Sequence, residues 1–304
     1  MHIRGPQWND ASAVLAVLVA RHVADLGLPL FRLEEIHDEW RAADVELSRD
    51  AVVIEVDGSV AAYGIVHRPG AFAVVAPAYE GRGLGARLLQ WVEQRERERQ
   101  CDAHRQIAAP TNARARHLLE GAGYQQVRSY WRMARPLDRG IQAADPPAGI
   151  SLRRLEPDAD GRALHALDAD SFSSIPDYVP ESYEMFVQEH LRAHDVAPEL
   201  SLVAHDGNRI VGFLLARRWQ HEGSGYVDLL AVAPTHQGRG IGTALLTRGF
   251  ADFAAAGLAQ AQLGVASDNP RALRIYEAVG MGRRFRFDVF ERAITQSDAP
   301  PSPA

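Results

Sequence analysis

The chain has no lysine, only one cysteine and no long hydrophobic run. All 33 basic residues among its 304 are arginine, which excludes a P-loop, because that motif needs a lysine to contact phosphate. Cys101 has no second cysteine with which to form a disulfide, a redox pair or a cysteine metal cluster. No apolar run reaches the roughly 20 residues of a membrane helix. These absences favour a cytoplasmic enzyme.

Length and charge restrict the domain count and the partners. A chain of 304 residues suits two domains of about 150 residues each. The net charge of −6 argues against nucleic acid as the main partner. We therefore expect no nucleic-acid partner and no membrane partner, and either a monomer or a homodimer.

A glycine-rich turn joins a strand to a helix near residue 240. An apolar run that starts at Tyr226 ends at Pro234, and QGRGIGT follows at 237–243 before a helical pattern begins. Glycines let the backbone approach a ligand closely, and the first N–H groups of a helix are unpaired. The turn is therefore either an anion cradle or a plain strand-to-helix connection. Its G-x-G-x-G spacing differs from the dinucleotide fingerprint.

The same stretch occurs earlier in the chain. Gly81-Arg82-Gly83 recurs as Gly238-Arg239-Gly240, an offset of 157 (238 minus 81), and Asn112 and Asn269 keep this offset. A match that holds register over so many residues indicates the duplication of a domain-sized unit.

Domain boundaries follow from the duplication and from the composition between the copies. The predicted division is a first domain over 1–138, a linker over 139–149, a second domain over 150–293 and a disordered tail over 294–304. The linker and the tail are rich in proline and poor in apolar residues. Asp57-Gly58 and Asp206-Gly207 mark hairpins 149 residues apart. The second copy thus has eight more residues (157 minus 149) before its glycine turn, which we assign to a loop over 217–224.

The residue pattern of each copy predicts helices, then an antiparallel meander, and then a strand–helix–strand unit. This order indicates an α+β fold. The Q-G-x-G-x-G turn after a strand ending V-x-P resembles the acyl-CoA pyrophosphate loop of the GNAT N-acetyltransferase superfamily. The pairing of two such units resembles mycothiol-synthase-type and other tandem GNAT enzymes. The resemblance implies two GNAT-like domains. Each has a mixed, mainly antiparallel sheet flanked by helices, with a splayed central strand pair.

The resemblance also implies acetyl-CoA as cosubstrate and no metal. The turn would hold the pyrophosphate, the preceding strand would pair with the pantetheine arm, and Asn269 would contact that arm. The residues expected to bind acetyl-CoA are Leu230, Ala231, Val232, Gln237, Gly238, Arg239, Gly240, Ile241, Gly242, Thr243 and Asn269. Arg239 could equally be a solvated surface residue, and Asn269 caps its helix in either case.

Direct attack of an amine on a thioester needs a base for the amine and an acid for the leaving thiolate. Tyr276 lies two helical turns after Asn269 and, by the family pattern, is the expected acid, although it could be a core aromatic residue. Asp228, on the strand that enters the turn, is the expected base. A carboxylate there would be costly to bury alone, so the alternative is a pair with an arginine.

The first copy has lost both of these groups. Ala71 stands at the position of Asp228, and Leu119 at that of Tyr276. We expect this copy to be catalytically silent, supporting the fold, occluding the second site or binding CoA without turnover. Its possible vestigial CoA site comprises Val75, Gly81, Arg82, Gly83, Gly85 and Asn112.

Residues 172–183, rich in aromatic and turn residues, are the expected wall of the acceptor side. Asp177, Tyr178 and Glu184 are candidate contacts for the amine. His190 and His194 have the spacing of a metal pair, but no third ligand is evident, so we read them as solvated.

The sequence predicts an N-acetyltransferase that acts on a primary amine of a small molecule or peptide, with transfer in the second domain. A non-catalytic acyl-CoA-binding or regulatory protein and a mycothiol-synthase-type acetyltransferase remain as alternatives.

Overall fold

The structure is a computed structural model that describes residues 1–42, 44–67, 70–101, 103–138, 141–173, 178–219 and 222–294. The chain forms two compact units. Unit 1 comprises residues 1–130 and 286–304, and unit 2 comprises residues 131–285. Within the described ranges, every helix is too short or too polar to span a lipid bilayer. The predicted linker and tail lie partly or mostly outside these ranges.

Unit 1 packs helices on a four-stranded antiparallel sheet with the order β1-β2-β3-β4. Its elements are β1 (His2–Arg4), α1 (Ala11–Leu26), α2 (Leu33–Arg41), α3 (Leu47–Asp50), β2 (Ala51–Val56), β3 (Ser59–His67), β4 (Gly70–Val75), α4 (Leu84–Glu98), β5 (Ala103–Ala108), α5 (Ala113–Gly121) and β6 (Gln125–Pro136). Val14, Trp40, Tyr63 and Ile65 are buried at the centre of its core. The sequence did not predict β1 or α3.

Unit 2 is built around the strand order β11-β10-β9-β8-β7. Its elements are β7 (Ile150–Arg154), α6 (Pro157–Phe172), α7 (Tyr183–Phe186), β8 (Leu202–Asp206), β9 (Arg209–Trp219), β10 (Ser224–Val232), α8 (Ile241–Ala255), β11 (Gln260–Ala266), α9 (Pro270–Ala278) and β12 (Gly282–Ala293). Phe213, Leu214, Phe250 and Phe253 are buried in its core. The pair β10–β11 is parallel and the other pairs are antiparallel, so the sheet is mixed, as predicted.

The duplication is visible element by element. Helices α4 and α8 begin 157 residues apart (241 minus 84), and α5 and α9 keep the same offset. The extra residues of the second copy do not form only a loop. Strands β9 and β10 have 11 and 9 residues, whereas β3 and β4 have 9 and 6, so the insertion also lengthens the hairpin.

The long strands β6 and β12 are each divided between the units. The residue pattern over 285–291 predicts a strand that closes the sheet of the second copy. Instead, Asp288 to Ala293 pair antiparallel with Ala108 to Ala103 of β5, within unit 1. The ranges of the compact units therefore differ from the predicted division, which was drawn from the duplication and from composition. Periodicity identifies a strand but does not specify its partner.

Strand β10 leaves its parallel neighbour halfway along its length. Ser224 to Val227 pair with Gln260 to Leu263 of β11, and the pairing ends there. The register with β9 shifts between Val227 and Leu229, which makes Asp228 the extra residue of a β-bulge. Bulges redirect a side chain and often lie beside functional sites. The predicted splayed pair of central strands is confirmed.

Close packing of α8 on β10 fixes this strand and its bulge. A Cβ atom on Gly225 would lie 2.2 Å from the Phe253 ring. We therefore expect Gly225→Ala to lower the free energy of unfolding by about 2 kcal/mol, because overpacking a well-filled core is destabilising. Chemical denaturation measures this. The control is Gly282→Ala, where an added Cβ meets nothing within 4 Å, and equal stability of the two variants would contradict the packing argument.

Candidate functional site

The glycine turn of unit 2 has the backbone geometry of an anion cradle. Gly238 and Gly240 have φ values of 78° and 88°, and Gly240 is the N-cap of α8. Side chains other than glycine rarely adopt such angles. The turn thus directs unpaired N–H groups of the first helical turn outward, where a diphosphate can bind. Arg239, beside them, is half exposed and lies 3.7 Å from Asp206.

Hydrogen bonds of Gln237 link the start of the turn to the end of β10 and to Arg271 of α9. Gln237 donates from Nε2 to the carbonyl oxygen of Val232 at 2.9 Å, and its Oε1 accepts a hydrogen bond from Arg271. Asn269 caps α9 by accepting a hydrogen bond from the Ala272 N–H at 3.0 Å. The cap reading of Asn269 is confirmed, and its contact with a pantetheine arm stays a prediction.

Beyond the bulge, β10 is paired with a neighbouring strand along only one of its two edges. Leu229 to Val232 pair with β9 on one side, whereas pairing with β11 ends at Val227. The N–H and C=O groups on the other side therefore have no strand partner among the described residues. They fit the amide-containing arm of acetyl-CoA, which can add to a strand edge through backbone hydrogen bonds.

Asp228 is held between two cations. Its carboxylate accepts a hydrogen bond from Arg217 Nη2 at 3.1 Å, lies 2.9 Å from Arg217 Nε in an ion pair, and forms a hydrogen bond with His190 Nδ1 at 2.7 Å. Burial alone would raise the pKa of this carboxyl, but the hydrogen bond from His190 and the charge of Arg217 outweigh it and lower the pKa. The arginine pair weighed as an alternative is thus present. A carboxylate with a lowered pKa is a weak base by itself.

His190 was read from the sequence as solvated, and this reading was wrong. Its side chain is only 16% exposed, and its Nε2 lies 3.4 Å from Glu181 Oε2. The residue pattern over 181–193 predicts one helix, but His190 belongs to a π-helical turn, Val187–Leu191, that follows the short α7. Burial lowers the pKa of the imidazole, but hydrogen bonds with Asp228 and Glu181 raise it to about 9. His190, which contacts Asp228, therefore has a pKa close to that of an alkyl ammonium, about 10.

Tyr276 is partly buried against the core of unit 2. Burial, and then the charge of Tyr226, raise the pKa of its phenol to about 12. The group therefore stays protonated through neutral and mildly alkaline pH. Tyr226 itself stacks on Trp219, with ring centroids 4.2 Å apart.

The predicted acceptor wall is partly described. Asp177 lies outside the described residues, and Glu184 is exposed. The Tyr178 hydroxyl donates to Asp168 at 2.9 Å. Burial raises the pKa of the Asp168 carboxyl more than this bond lowers it. The sequence reasoning missed Asp168 and Glu181, because neither belongs to a motif.

Unit 1 repeats the turn without the polar cluster. Gly81 and Gly83 have φ values of 74° and 75°, matching the turn of unit 2. Leu119 is buried where unit 2 has Tyr276. Glu80 replaces Gln237 and pairs with Arg21 of α1.

Comparisons with known proteins agree with this geometry. The model of the acetyltransferase (GNAT) family matches residues 22–124 and 162–281. A mycothiol acetyltransferase of Thermobispora bispora is 33% identical over 234 residues, 74% of this chain and 76% of its own. The corresponding protein of Streptomyces avermitilis is 33% identical over 226 residues, 71% of this chain and 68% of its own.

Solved structures with the same fold cover almost the whole chain. A GCN5-related N-acetyltransferase from Sphaerobacter thermophilus superposes with a TM-score of 0.81 at 28% identity, over 96% of this chain and 95% of its own. A tandem GNAT protein from the clavulanic acid biosynthesis pathway gives 0.77 at 13% identity, over 99% of both chains. The second likeness concerns the fold alone.

Proposed function

Because the chain belongs to the GNAT family of acetyltransferases, we propose that unit 2 transfers the acetyl group of acetyl-CoA to a primary amine by direct attack. The observation that supports this best is the His190–Asp228–Arg217 cluster, which lies at the bulge where β10 leaves β11. Unit 1 has no counterpart of it at Ala71. The proposed compartment is the cytoplasm.

Acetyl-CoA supplies the activated acetyl group, and the chain would hold it at the places described above. The N–H groups that follow Gly240 bind the diphosphate. The free edge of β10 from Leu229 to Val232 pairs with the pantetheine arm, and Asn269 contacts that arm. The backbone N–H of Val232 polarises the thioester carbonyl, where negative charge develops in the transition state.

His190 accepts the proton of the incoming amine. An alkyl ammonium has a pKa of about 10, so an imidazole with a pKa of about 9 is nearly matched to it. Asp228 holds Nδ1, which leaves Nε2 facing Glu181 and the acceptor. Glu181 Oε2 lies 3.4 Å from this nitrogen, and its charge attracts the ammonium before the proton is transferred. Asp228 thus acts through His190.

Tyr276 donates a proton to the thiolate that leaves. Its raised pKa keeps the phenol protonated over the whole working range. The donor is therefore available whenever the acceptor amine has been deprotonated, and an acid and a base of different pKa can operate together.

A second candidate acceptor is the amine that mycothiol acetyltransferases acetylate. Two relatives with that name are each 33% identical to this chain. The polar groups of the acceptor side, Asp168, Glu181 and His190, carry no feature specific for a thiol.

The test is amine-dependent thiol release from acetyl-CoA, measured from pH 6.5 to 10. We expect kcat/KM to rise towards pH 9 as His190 loses its proton, because only the neutral imidazole accepts one. The charged groups around it are Asp228, Glu181, Asp168 and Arg217.

In the variant His190→Gln, the rise of kcat/KM towards pH 9 should disappear, and kcat/KM should fall about 100-fold. The exposed neighbour His194 provides the control, as His194→Gln should retain the native profile. An unchanged pH profile in His190→Gln would exclude His190 as the base. Failure of any amine to release thiol, with acetyl-CoA bound, would favour the non-catalytic binding protein.

A further inference from the structure

Unit 1 contains a cavity of about 590 Å³ that begins at its glycine turn. Gly81 and Gly83 lie at one end, and the walls are mostly apolar, with Val75, Leu88 and Leu119 among them. This volume is in the range of small-molecule sites. It lies between β4, the edge strand of its sheet, and β5, which hydrogen-bonds to β12 instead.

The cavity extends along β4 beyond Val75, the residue equivalent to Val232. Phe72 lines it three residues before Val75 on β4, which is about 10 Å along a strand. A cluster of rings surrounds that end: His22 stacks on Phe31 at 4.9 Å, Phe31 lies 5.7 Å from Phe72, and His22 lies 6.2 Å from Phe287. The far end of the cavity is therefore an aromatic recess.

Two buried polar side chains in this cavity each keep one atom without a hydrogen bond in the described part of the chain. His22 is 8% exposed and Gln106 is 4% exposed, and both line the cavity. The Nδ1 atom of His22 and the Nε2 atom of Gln106 make no hydrogen bond with any residue that the structure describes. Burial, with the charge of Arg21, lowers the pKa of His22 to about 4, so the ring is neutral. Buried polar atoms without partners are rare and costly, which points to a ligand that pairs with them.

The matching region of unit 2 has the opposite character. There Asp228, His190 and Arg217 form a charged recess suited to an amine. In unit 1 Ala71 stands at the position of Asp228, and Phe72 follows it. Since an ammonium would be poorly solvated against these rings, the apolar recess suits a hydrocarbon chain attached to the donor.

We propose that unit 1 binds a coenzyme A thioester whose acyl chain is longer than acetyl, and holds it without transferring it. The chain fills the recess around Phe72, and an oxygen of the acyl group accepts a hydrogen bond from Gln106 Nε2. Transfer does not follow, because Leu119 and Ala71 provide neither an acid nor a base. This inference rests on the proposed role of the glycine turns in binding CoA.

The test compares CoA, acetyl-CoA and hexanoyl-CoA by titration calorimetry in two variants. Gly240→Val strains the turn of unit 2, and Gly83→Val strains that of unit 1, because both glycines have positive φ. Each buried methylene strengthens binding about fourfold. In Gly240→Val we therefore expect hexanoyl-CoA to bind at least roughly tenfold more tightly than acetyl-CoA, and to release no thiol when an amine is added.

The gain with chain length should disappear in Gly83→Val. Equal affinities for the two thioesters in Gly240→Val, or a gain that survives Gly83→Val, would overturn the inference. If Gly240→Val does not fold, the native chain decides: it should show two classes of site, only one of which prefers hexanoyl-CoA. A single class without preference would equally overturn it.

A separate variant tests the proposed hydrogen bond from Gln106 Nε2 to the acyl group. Leucine occupies the position of Gln106 in unit 2, as Leu263, so Gln106→Leu is compatible with this fold. It should weaken hexanoyl-CoA binding about fivefold, the effect of one hydrogen bond. Gln90→Leu on the exposed face of α4 is the control. An unchanged affinity in Gln106→Leu would contradict the contact.

Amine-dependent turnover with acetyl-CoA keeps the two proposals separate. If the native chain turns over but hexanoyl-CoA shows no preference, only the unit 1 inference fails. If hexanoyl-CoA binds as expected but no amine is acetylated, only the proposed function fails.

Discussion

The variant Tyr276→Phe should retain acetyl-CoA binding and lose about 100-fold in kcat, because general acid catalysis typically contributes at least that factor. The substitution removes one hydroxyl and keeps the ring that packs against the core of unit 2. Stability and KM for acetyl-CoA should therefore change little. Steady-state kinetics with a good amine, together with calorimetric titration of acetyl-CoA, measure both quantities.

The matched control is Tyr130→Phe, on the exposed face of β6. It removes the same hydroxyl from a residue outside the site and should have native kcat. Native kcat in Tyr276→Phe would contradict its role as the acid. A loss of acetyl-CoA affinity without a loss of kcat would instead give the phenol a binding role.

The variant Asp228→Asn should affect catalysis, stability and one pKa together. It leaves Arg217 and His190 partly buried without their shared carboxylate, and breaking such a pair costs about 3 kcal/mol of unfolding free energy. The pKa of His190 should fall from about 9, because the hydrogen bond with Asp228 is the largest influence that raises it. We expect kcat/KM to fall about 100-fold.

The size of the stability effect depends on pH. A histidine whose folded pKa is raised stabilises the fold fully below its unfolded pKa of about 6.5, and this contribution is lost as the pH rises through about 9. Asp228→Asn should therefore destabilise the protein more at pH 6 than at pH 10. NMR titration of His190 gives the pKa directly, and denaturation at both pH values gives the stability. Asp206→Asn, at a half-exposed carboxylate, is the control. An unchanged His190 pKa would contradict the coupling.

Much of the fold could be predicted because the sequence contains two copies of one domain-sized unit, which can be aligned with each other. The offset between Gly83 and Gly240 aligned two copies, and glycines with positive φ occur at the same places in both turns. The cap Asn269 was predicted from its position before Pro270, a local signal that needs no tertiary information.

Pairing between distant segments could not be predicted in the same way. One partner of β12 is β5, about 180 residues earlier, and nothing in the alternation of residues selects that strand. The π-helical turn at Val187–Leu191 also has no pattern that distinguishes it from an ordinary helix.

The same limit explains what was missed in the site. Asp228 was found because a lone carboxylate in an apolar strand is unusual. His190 lies 38 residues away in the sequence and meets it only in the folded protein. A histidine four residues from another suggested only a metal pair or a solvated face. Its charged partners, and hence its raised pKa, are tertiary features.

The claim that only unit 2 transfers acetyl groups is tested most directly by measuring kcat/KM for amine acetylation in Gly240→Val and Gly83→Val side by side. Both changes impose the same backbone strain on equivalent turns, so each variant is the control of the other. We predict that Gly240→Val loses at least about 100-fold, an amount typical for misplaced reactants, and that Gly83→Val stays within about threefold of the native value. Loss of activity in Gly83→Val with retention in Gly240→Val would contradict the account.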